Sequence, residues 1–297
     1  MSKNAEVYAR TFETVIAAME AGATPWVRTW SDTKGGTMPH NAVTGRHYSG
    51  GNVVALWAAQ LTHGYMSQGY LTFKQAQAAG CMVRKGSKGH HVYYMSTVER
   101  KDKVTGEREK FFFAKGFVVF NLDQLDEVEA GALAKLKARS NMPLPSPVER
   151  VAAADAMVTA TGADIRHGGN QPCYVPSVDT IRMPEASQFR TMPDYYGTLF
   201  HELGHWTGHE SRLKRLTPAR FGSALYAFEE LVAELCAAFL SAQFGWDTVS
   251  QSAAYLTGWA KACREEPDMF AKAASLAAKA ADLVSGPVVE IPEEVEA

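Results

Sequence analysis

Residues 200–209 read FHELGHWTGH, and within them His201, Glu202 and His205 spell H-E-x-x-H. Residues four apart on a helix lie on one face. Two imidazoles so placed can aim at a single divalent ion, zinc in the first instance with another ion such as manganese as the alternative. Metal–nitrogen bonds of about 2.0–2.1 Å would result. Glu202, next to the first histidine, is placed to take the proton of a metal-bound water as that water attacks a carbonyl carbon. The motif also arises by chance on surface helices. Here the apolar flank of Leu199, Phe200, Leu203 and Trp206, with the small Gly204 between, argues for a buried helix instead.

Two histidines are short of the three protein ligands of a catalytic zinc site. In H-E-x-x-H-x-x-G-x-x-H the third would be a histidine; Gly208 fits that pattern, but its last position is Ser211, a poor ligand. His209 is eight residues from His201, about 12 Å along a continuing helix, too far to share the ion. Downstream, ALYAFEELVAELCAAFL offers Glu229, Glu230 and Glu234. Its apolar stripe of Leu225, Phe228, Val232, Leu235 and Phe239 puts Glu229 beside the inward face and points Glu230 and Glu234 the other way. Glu229 is therefore the expected third ligand, with Glu230 as the alternative, against the plainer reading that all three are solvated charges. A His–His–Glu set with an open fourth position is that of gluzincin-type peptidases.

A second chemistry sits in the other half. From Thr33 to Val98, 66 residues carry no Asp or Glu, where 32 acidic residues in 297 would lead one to expect about seven. The same span holds Lys34, Arg46, Lys74, Arg84, Lys85 and Lys88, five histidines, and aromatics that include Tyr48, Trp57, Phe73 and Tyr93. Cations that neutralise phosphates, interleaved with rings that stack on bases, suit single-stranded nucleic acid. The candidate contacts are Arg46, Tyr48, Lys74, Arg84, Lys85 and Lys88, the last three in the Gly-punctuated MVRKGSKGHH. Trp57, Phe73 and Tyr93 are read as core.

The elements that must hold these groups follow from periodicity. Residues 4–21 space Val7, Phe12, Val15, Ile16 and Met19 as a helix ended by Gly22. GGNVVALWAAQLT is a second helix, and LTFKQAQAAG a third, capped by Thr72 and closed by Gly80. HVYYMSTVERKDKVTGEREKFFFAKGFVVF alternates as two strands about a VTGE turn. Helix PVERVAAADAMVTATG, a short hairpin in CYVPSVDTIRMP turning at Val178–Asp179, and long helices over 194–209, 224–243 and 249–283 follow.

The resulting class is α+β. Residues 1–129 form an α+β nucleic-acid-binding domain, 130–148 a proline-bearing linker, 149–287 a mainly helical metal domain with a small hairpin or sheet, and 288–297 an acidic disordered tail. Charge divides the same way: residues 1–122 carry 15 Lys/Arg and 8 Asp/Glu, a net +7, and residues 123–297 carry 15 and 24, a net −9. Opposite signs suggest different partners. Short apolar runs exclude a membrane-spanning helix and an N-terminal signal peptide. Four scattered cysteines without C-x-x-C fit reduced thiols in a cytoplasmic protein.

Taken together, PHNAVTGRHYSGGNVVALW, YLTFKQAQAAGCMVRKGSKGHHVYY, YYGTLFHELGHWTGHESRLKR and YAFEELVAEL resemble the ArdC-type antirestriction proteins of conjugative plasmids over nearly the whole chain. The resemblance implies an N-terminal single-stranded-DNA-binding domain shared with TraC-type plasmid primases and a C-terminal zincin-like metallopeptidase domain. It implies protection of incoming plasmid DNA from host restriction, with restriction-modification proteins as candidate targets and no membrane partner. It carries over His201, Glu202 and His205 directly, and a glutamate of FEELVAE. The alternative is a non-proteolytic protein that coats single-stranded DNA and uses its metal domain as a scaffold.

Overall fold

The computed structural model describes residues 3–26, 38–101, 108–140, 144–220, 222–246 and 253–286. The VTGE turn and the acidic tail lie outside them.

In the N-terminal half, helix α1 (Lys3–Glu20) turns Phe12, Val15, Ile16 and Met19 inward, as their spacing requires. It packs on α2 (Gly51–His63) and on a long hairpin of β4 (His90–Lys101) and β5 (Arg108–Asn121). The hairpin pairs in unbroken antiparallel register from His90↔Val119 to Lys101↔Arg108. β5 then runs on to pair Asn121 and Phe120 with Tyr70 and Leu71 of β2 (Gly69–Leu71). β2 lies parallel to β1 (His40–Asn41), so the sheet order is β1-β2-β5-β4. Helix α3 (Phe73–Ala78) starts at a capping box in which Thr72 and Gln75 satisfy each other's backbone donors, and Gly80 follows at φ 74°, a left-handed turn that glycine adopts without strain. β3 (Cys81–Val83) pairs with β6 (Leu125–Glu127).

The stretch 130–148, expected as a linker, contains α4 (Ala132–Ser140). Its Leu136 is buried against Leu71, Leu122 and Leu125, and the Ser140 hydroxyl lies 2.9 Å from His40 Nε2. Three prolines in a row of five mark its end but not its beginning.

In the C-terminal half, α5 (Pro147–Thr161) precedes a three-stranded sheet of β7 (Asp164–His167), β8 (Cys173–Val175) and β9 (Thr180–Met183), ordered β7-β9-β8. The β8–β9 hairpin turns at Asp179, φ 50°, as the sequence implies; β7, parallel to β9, has no alternating pattern to announce it. Helices α6 (Met192–Thr207) and α7 (Ala224–Gln243) pack side by side. The helix expected over 249–283 is two, α8 (Ala253–Glu265) and α9 (Pro267–Ser285). Pro267 cannot supply the amide that would continue α8.

The two halves share one apolar core. Phe12 meets Phe270 at a ring-centroid distance of 4.9 Å, Trp57 meets Phe239 at 6.0 Å, and Trp26 meets Trp259 at 6.1 Å. At the rim of this contact Arg264 of α8 pairs with Glu13 and Glu20 of α1.

Candidate metal centre and nucleic-acid face

His201 and His205 lie one turn apart on α6, and their Nε2 atoms are 3.1 Å from each other. Two nitrogens on one tetrahedral zinc would stand about 3.3 Å apart. The Glu230 carboxylate of α7 straddles the pair, with Oε2 3.6 Å from His201 Nε2 and Oε1 3.6 Å from His205 Nε2. One ligand atom from each of the three residues falls within 4.8 Å of the others. Two facing imidazole lone pairs and a carboxylate repel unless a cation or a proton sits among them, so the donor set fits a divalent ion. Burial lowers the His201 pKa, but hydrogen bonds to Glu230 and Glu234 outweigh it and hold that ring well above the ordinary histidine value.

The other face of each ring is held as well. His201 Nδ1 is 2.9 Å from Glu234 Oε1, and His205 Nδ1 is 3.2 Å from Glu229 Oε1. A proton on His205 Nδ1, donated to Glu229, leaves its Nε2 free to ligate, and the Glu234 carboxylate close to His201 Nδ1 favours a proton on that side of the second ring. Glu229 is in turn gripped by Arg215, whose Nε reaches Oε2 at 2.9 Å and whose Nη2 reaches Oε1 at 2.8 Å. Arg215 is itself fixed by the Thr207 hydroxyl and the Gly204 carbonyl.

Glu229, the expected third ligand, stands on the Nδ1 side of His205 with both oxygens engaged by Arg215 and His205, and the carboxylate that faces both Nε2 atoms is that of Glu230. The stripe argument failed because α7 is enclosed on all sides from Leu231 to Ala242, while Leu225 at the head of the supposed inward stripe is 61% exposed. The face toward α6 is marked instead by small residues. A Cβ on Gly204 would lie 3.0 Å from Ala233 Cα, and Ala233 is on the same side of α7 as Glu230 and Glu234. Glu234, expected to point outward, is buried. The sequence did carry a signal for it: a lone acid inside LVAELCAAFL must find a partner. For Glu229 and Glu230 burial pushes the pKa up, but their hydrogen bonds to His205 and Arg215, and to His201, prevail and hold both low.

Glu202 is buried at the wall of a cleft of about 460 Å³ that also exposes His201, His205 and Glu230. Its Oε2 accepts a hydrogen bond of 2.7 Å from the backbone N–H of Tyr174 on β8, an edge strand. Sequence reasoning missed Tyr174. Its hydroxyl donates to Asp179, which is paired with Arg212, and the Arg212 guanidinium lies 3.8 Å over the ring of Trp206. The β8–β9 hairpin is thereby tied to the end of α6. His209, past that end, has Nδ1 2.8 Å from Ser211 Oγ and takes no part in the metal site.

The six candidate DNA contacts are not one cluster. Arg84, Lys85 and Lys88 are exposed on the loop between β3 and β4, Lys74 is exposed on α3, and Arg46 is exposed in the turn after β1. Arg84 is partly engaged, donating to the Asp123 carbonyl and lying 4.0 Å from Asp126. Tyr48 is half-buried and packs edge-on to Tyr70, with its hydroxyl pKa pushed up by burial. Phe73, read as core, is 43% exposed. Among the described residues no helix is long and apolar enough to cross a membrane.

A helix bearing two facing histidines, a glutamate from the next helix and a bordering edge strand define the C-terminal half as a zincin-like metallopeptidase domain, and that family's profile matches residues 152–276. The profile described as the N-terminal domain of anti-restriction factor ArdC matches residues 5–120. The crystal structure of the antirestriction ArdC protein from plasmid R388, in its metal-free form, superposes with TM-score 0.74 at 38% identity, covering 93% of this chain and 96% of that one. Its Mn(II)-bound form matches with the same TM-score and coverage at 37% identity. The uncharacterized protein y4eC of Sinorhizobium fredii is 36% identical over 287 residues, 93% of this chain and 91% of its own. A DNA primase TraC of Escherichia coli is 37% identical over 295 residues, covering 92% of this chain but 26% of the primase. The chain belongs to the ArdC family of antirestriction proteins.

Proposed function

We propose that this protein binds single-stranded DNA without sequence preference through its N-terminal half and acts as a metal-dependent endopeptidase through its C-terminal half. Together these would protect incoming plasmid DNA from host restriction, with DNA-bound restriction proteins as the substrate class. The observation that carries the peptidase reading is the placing of Glu202 in one cleft with the Nε2 atoms of His201 and His205 and the carboxylate of Glu230.

His201, His205 and Glu230 would hold the ion, zinc or alternatively manganese as in the Mn(II)-bound relative. Bound there, a divalent ion would polarise a peptide carbonyl and acidify a water. The Glu202 carboxylate would take the proton of the attacking water as its oxygen bonds to the carbonyl carbon, and give it to the amine nitrogen as the C–N bond breaks. The Tyr174 N–H fixes Oε2, leaving the other carboxylate oxygen to the proton transfer. β8, an edge strand, offers its outer backbone to an extended substrate chain. The basic half supports the DNA reading through Lys74, Lys85 and Lys88, exposed and without an ion-pair partner among the described residues.

The test is plasmid establishment in a restricting recipient, scored for the wild type and for Glu202→Gln, a change that keeps size and metal ligands. Loss of protection with metal content and DNA binding intact supports proteolysis. Full protection by Glu202→Gln would establish the alternative, in which coating single strands suffices and the metal domain is a scaffold.

A further inference from the structure

We propose that Phe73, Phe120 and Val118, with Lys74 and Lys88 at the two ends, form the ledge on which bases of single-stranded DNA stack. The proposal rests on reading the N-terminal half as a single-strand binder and gives that activity a place. Three segments meet at the ledge. Val118 and Phe120 are two apart on β5 and so share one side of the strand. The Lys88–Gly89 segment crosses them so closely that a Cβ at Gly89 would lie 2.2 Å from Val118 Cγ1 and 3.1 Å from Phe120 Cζ. Phe73, the first residue of α3, meets Phe120 edge to face at 6.4 Å and 66°. The capping box at Thr72 and Gln75 fixes the backbone from which the Phe73 ring projects.

Phe73 is 43% exposed and Val118 42%, whereas Tyr70, three residues before Phe73, is buried. A ring held in place yet left in water is the form a stacking platform takes. Lys74 follows Phe73 and Lys88 precedes Gly89; both are exposed and neither has an ion-pair partner among the described residues. Of the nearby acids, Asp123 pairs with Lys137 and Asp126 lies 4.0 Å from Arg84. Unpaired cations on either side of a free ring neutralise a phosphate backbone while the bases lie between them. On the hairpin's other face Phe117 is less free, since Lys115 already lies over its ring at 5.2 Å. Two rings and a valine match the width of one or two bases, while a stable protein partner needs a far larger apolar face.

The experiment uses the full chain and two oligonucleotides of about 15 residues, one of thymidines and one with abasic sites at its centre, with affinity followed by anisotropy across a salt series. The wild type should prefer the thymidine strand by about tenfold. Phe73→Ala should lower its affinity to that of the abasic strand and leave the abasic strand unchanged. Phe73→Trp should keep the preference. If Phe73→Ala melts below the wild type, Phe73→Leu, apolar but unable to stack, carries the comparison. Lys74→Gln and Lys88→Gln should weaken both strands alike, each reducing the salt slope by about 0.7. A folded Phe73→Ala or Phe73→Leu protein that keeps the full thymidine preference overturns the ledge while single-strand binding stands. A wild type that binds neither strand overturns both together.

Discussion

Glu229 and Glu230 are neighbours in the chain and serve opposite sides of one histidine: Glu229 Oε1 is 3.2 Å from His205 Nδ1, and Glu230 Oε1 is 3.6 Å from His205 Nε2. In the proposed site the first orients the ring and the second faces the ion. Glu230→Ala should therefore abolish stoichiometric divalent-ion binding. Glu229→Ala should retain the ion with affinity weakened about 10–100-fold. Titration calorimetry with zinc on both variants separates the two roles. If Glu229→Ala loses the ion and Glu230→Ala keeps it, the assignment is reversed.

The separation of α6 from α7 depends on a missing side chain. A methyl at position 204 would press on Ala233 Cα at 3.0 Å, one turn from Glu230. Gly204→Ala should force the helices apart, cost about 1–3 kcal/mol of stability, and weaken metal binding by moving Glu230 away from the histidines. Thermal melting and metal titration on the same sample check both effects. An unchanged metal affinity would mean that the donor set tolerates the shift.

How much of this was readable beforehand depended on how local its cause is. The capped helix at Thr72, the helix after Ser146, the hairpin of β4 and β5 and the H-E-x-x-H helix are set by neighbours in sequence, and their signals were present. β1, β2, β3 and β6 are two or three residues long and exist because of partners far away in the chain, as when Tyr70 finds Asn121. The exposure of Phe73 has the same origin: nothing local says that the sheet ends beside it. That Glu230 and Glu234 face α6 was not legible because a helix enclosed all round has no apolar stripe from which to infer direction.

Two histidines of the basic half are held neutral. Burial, reinforced by the nearby His63, lowers the His90 pKa to about 4, and its Nε2 lies 3.1 Å from the Tyr65 hydroxyl. Burial lowers His40 as well. An unfolded histidine titrates near 6.5, so between about pH 6.5 and 4 the unfolded chain binds more protons than the folded one. Stability from these groups is complete above that window and is lost as pH falls through it. The denaturation midpoint should drop on acidification, and less steeply in His90→Gln. An NMR titration of the His90 ring with a midpoint at 6 or above would count against this.

The apolar core shared by the two halves bears on how they work together. A flexible tether would let the metal cleft search the space around bound DNA, and residues 1–125 would then fold and bind alone. Instead α1 contributes Phe12, 1% exposed, to a contact with Phe270 of α9, and Arg264 clamps Glu13 and Glu20 outside it. Removing the C-terminal half would bare this face of α1 and the side of Trp57 that meets Phe239. The expected result is that residues 1–125 alone are poorly soluble, and that the whole chain melts in one transition. Phe12→Ala should cost about 3–5 kcal/mol, and in a cycle with Phe270→Ala the pair should show a coupling of about 0.5–1.5 kcal/mol. Calorimetry of the wild type, both single variants and the double variant measures all of this. Two resolved transitions, with Phe12→Ala moving one of them, would restore the tethered picture. A single transition would mean that the two halves keep a set distance, so that under the proposed function a peptide substrate would have to come to the cleft from beside the DNA.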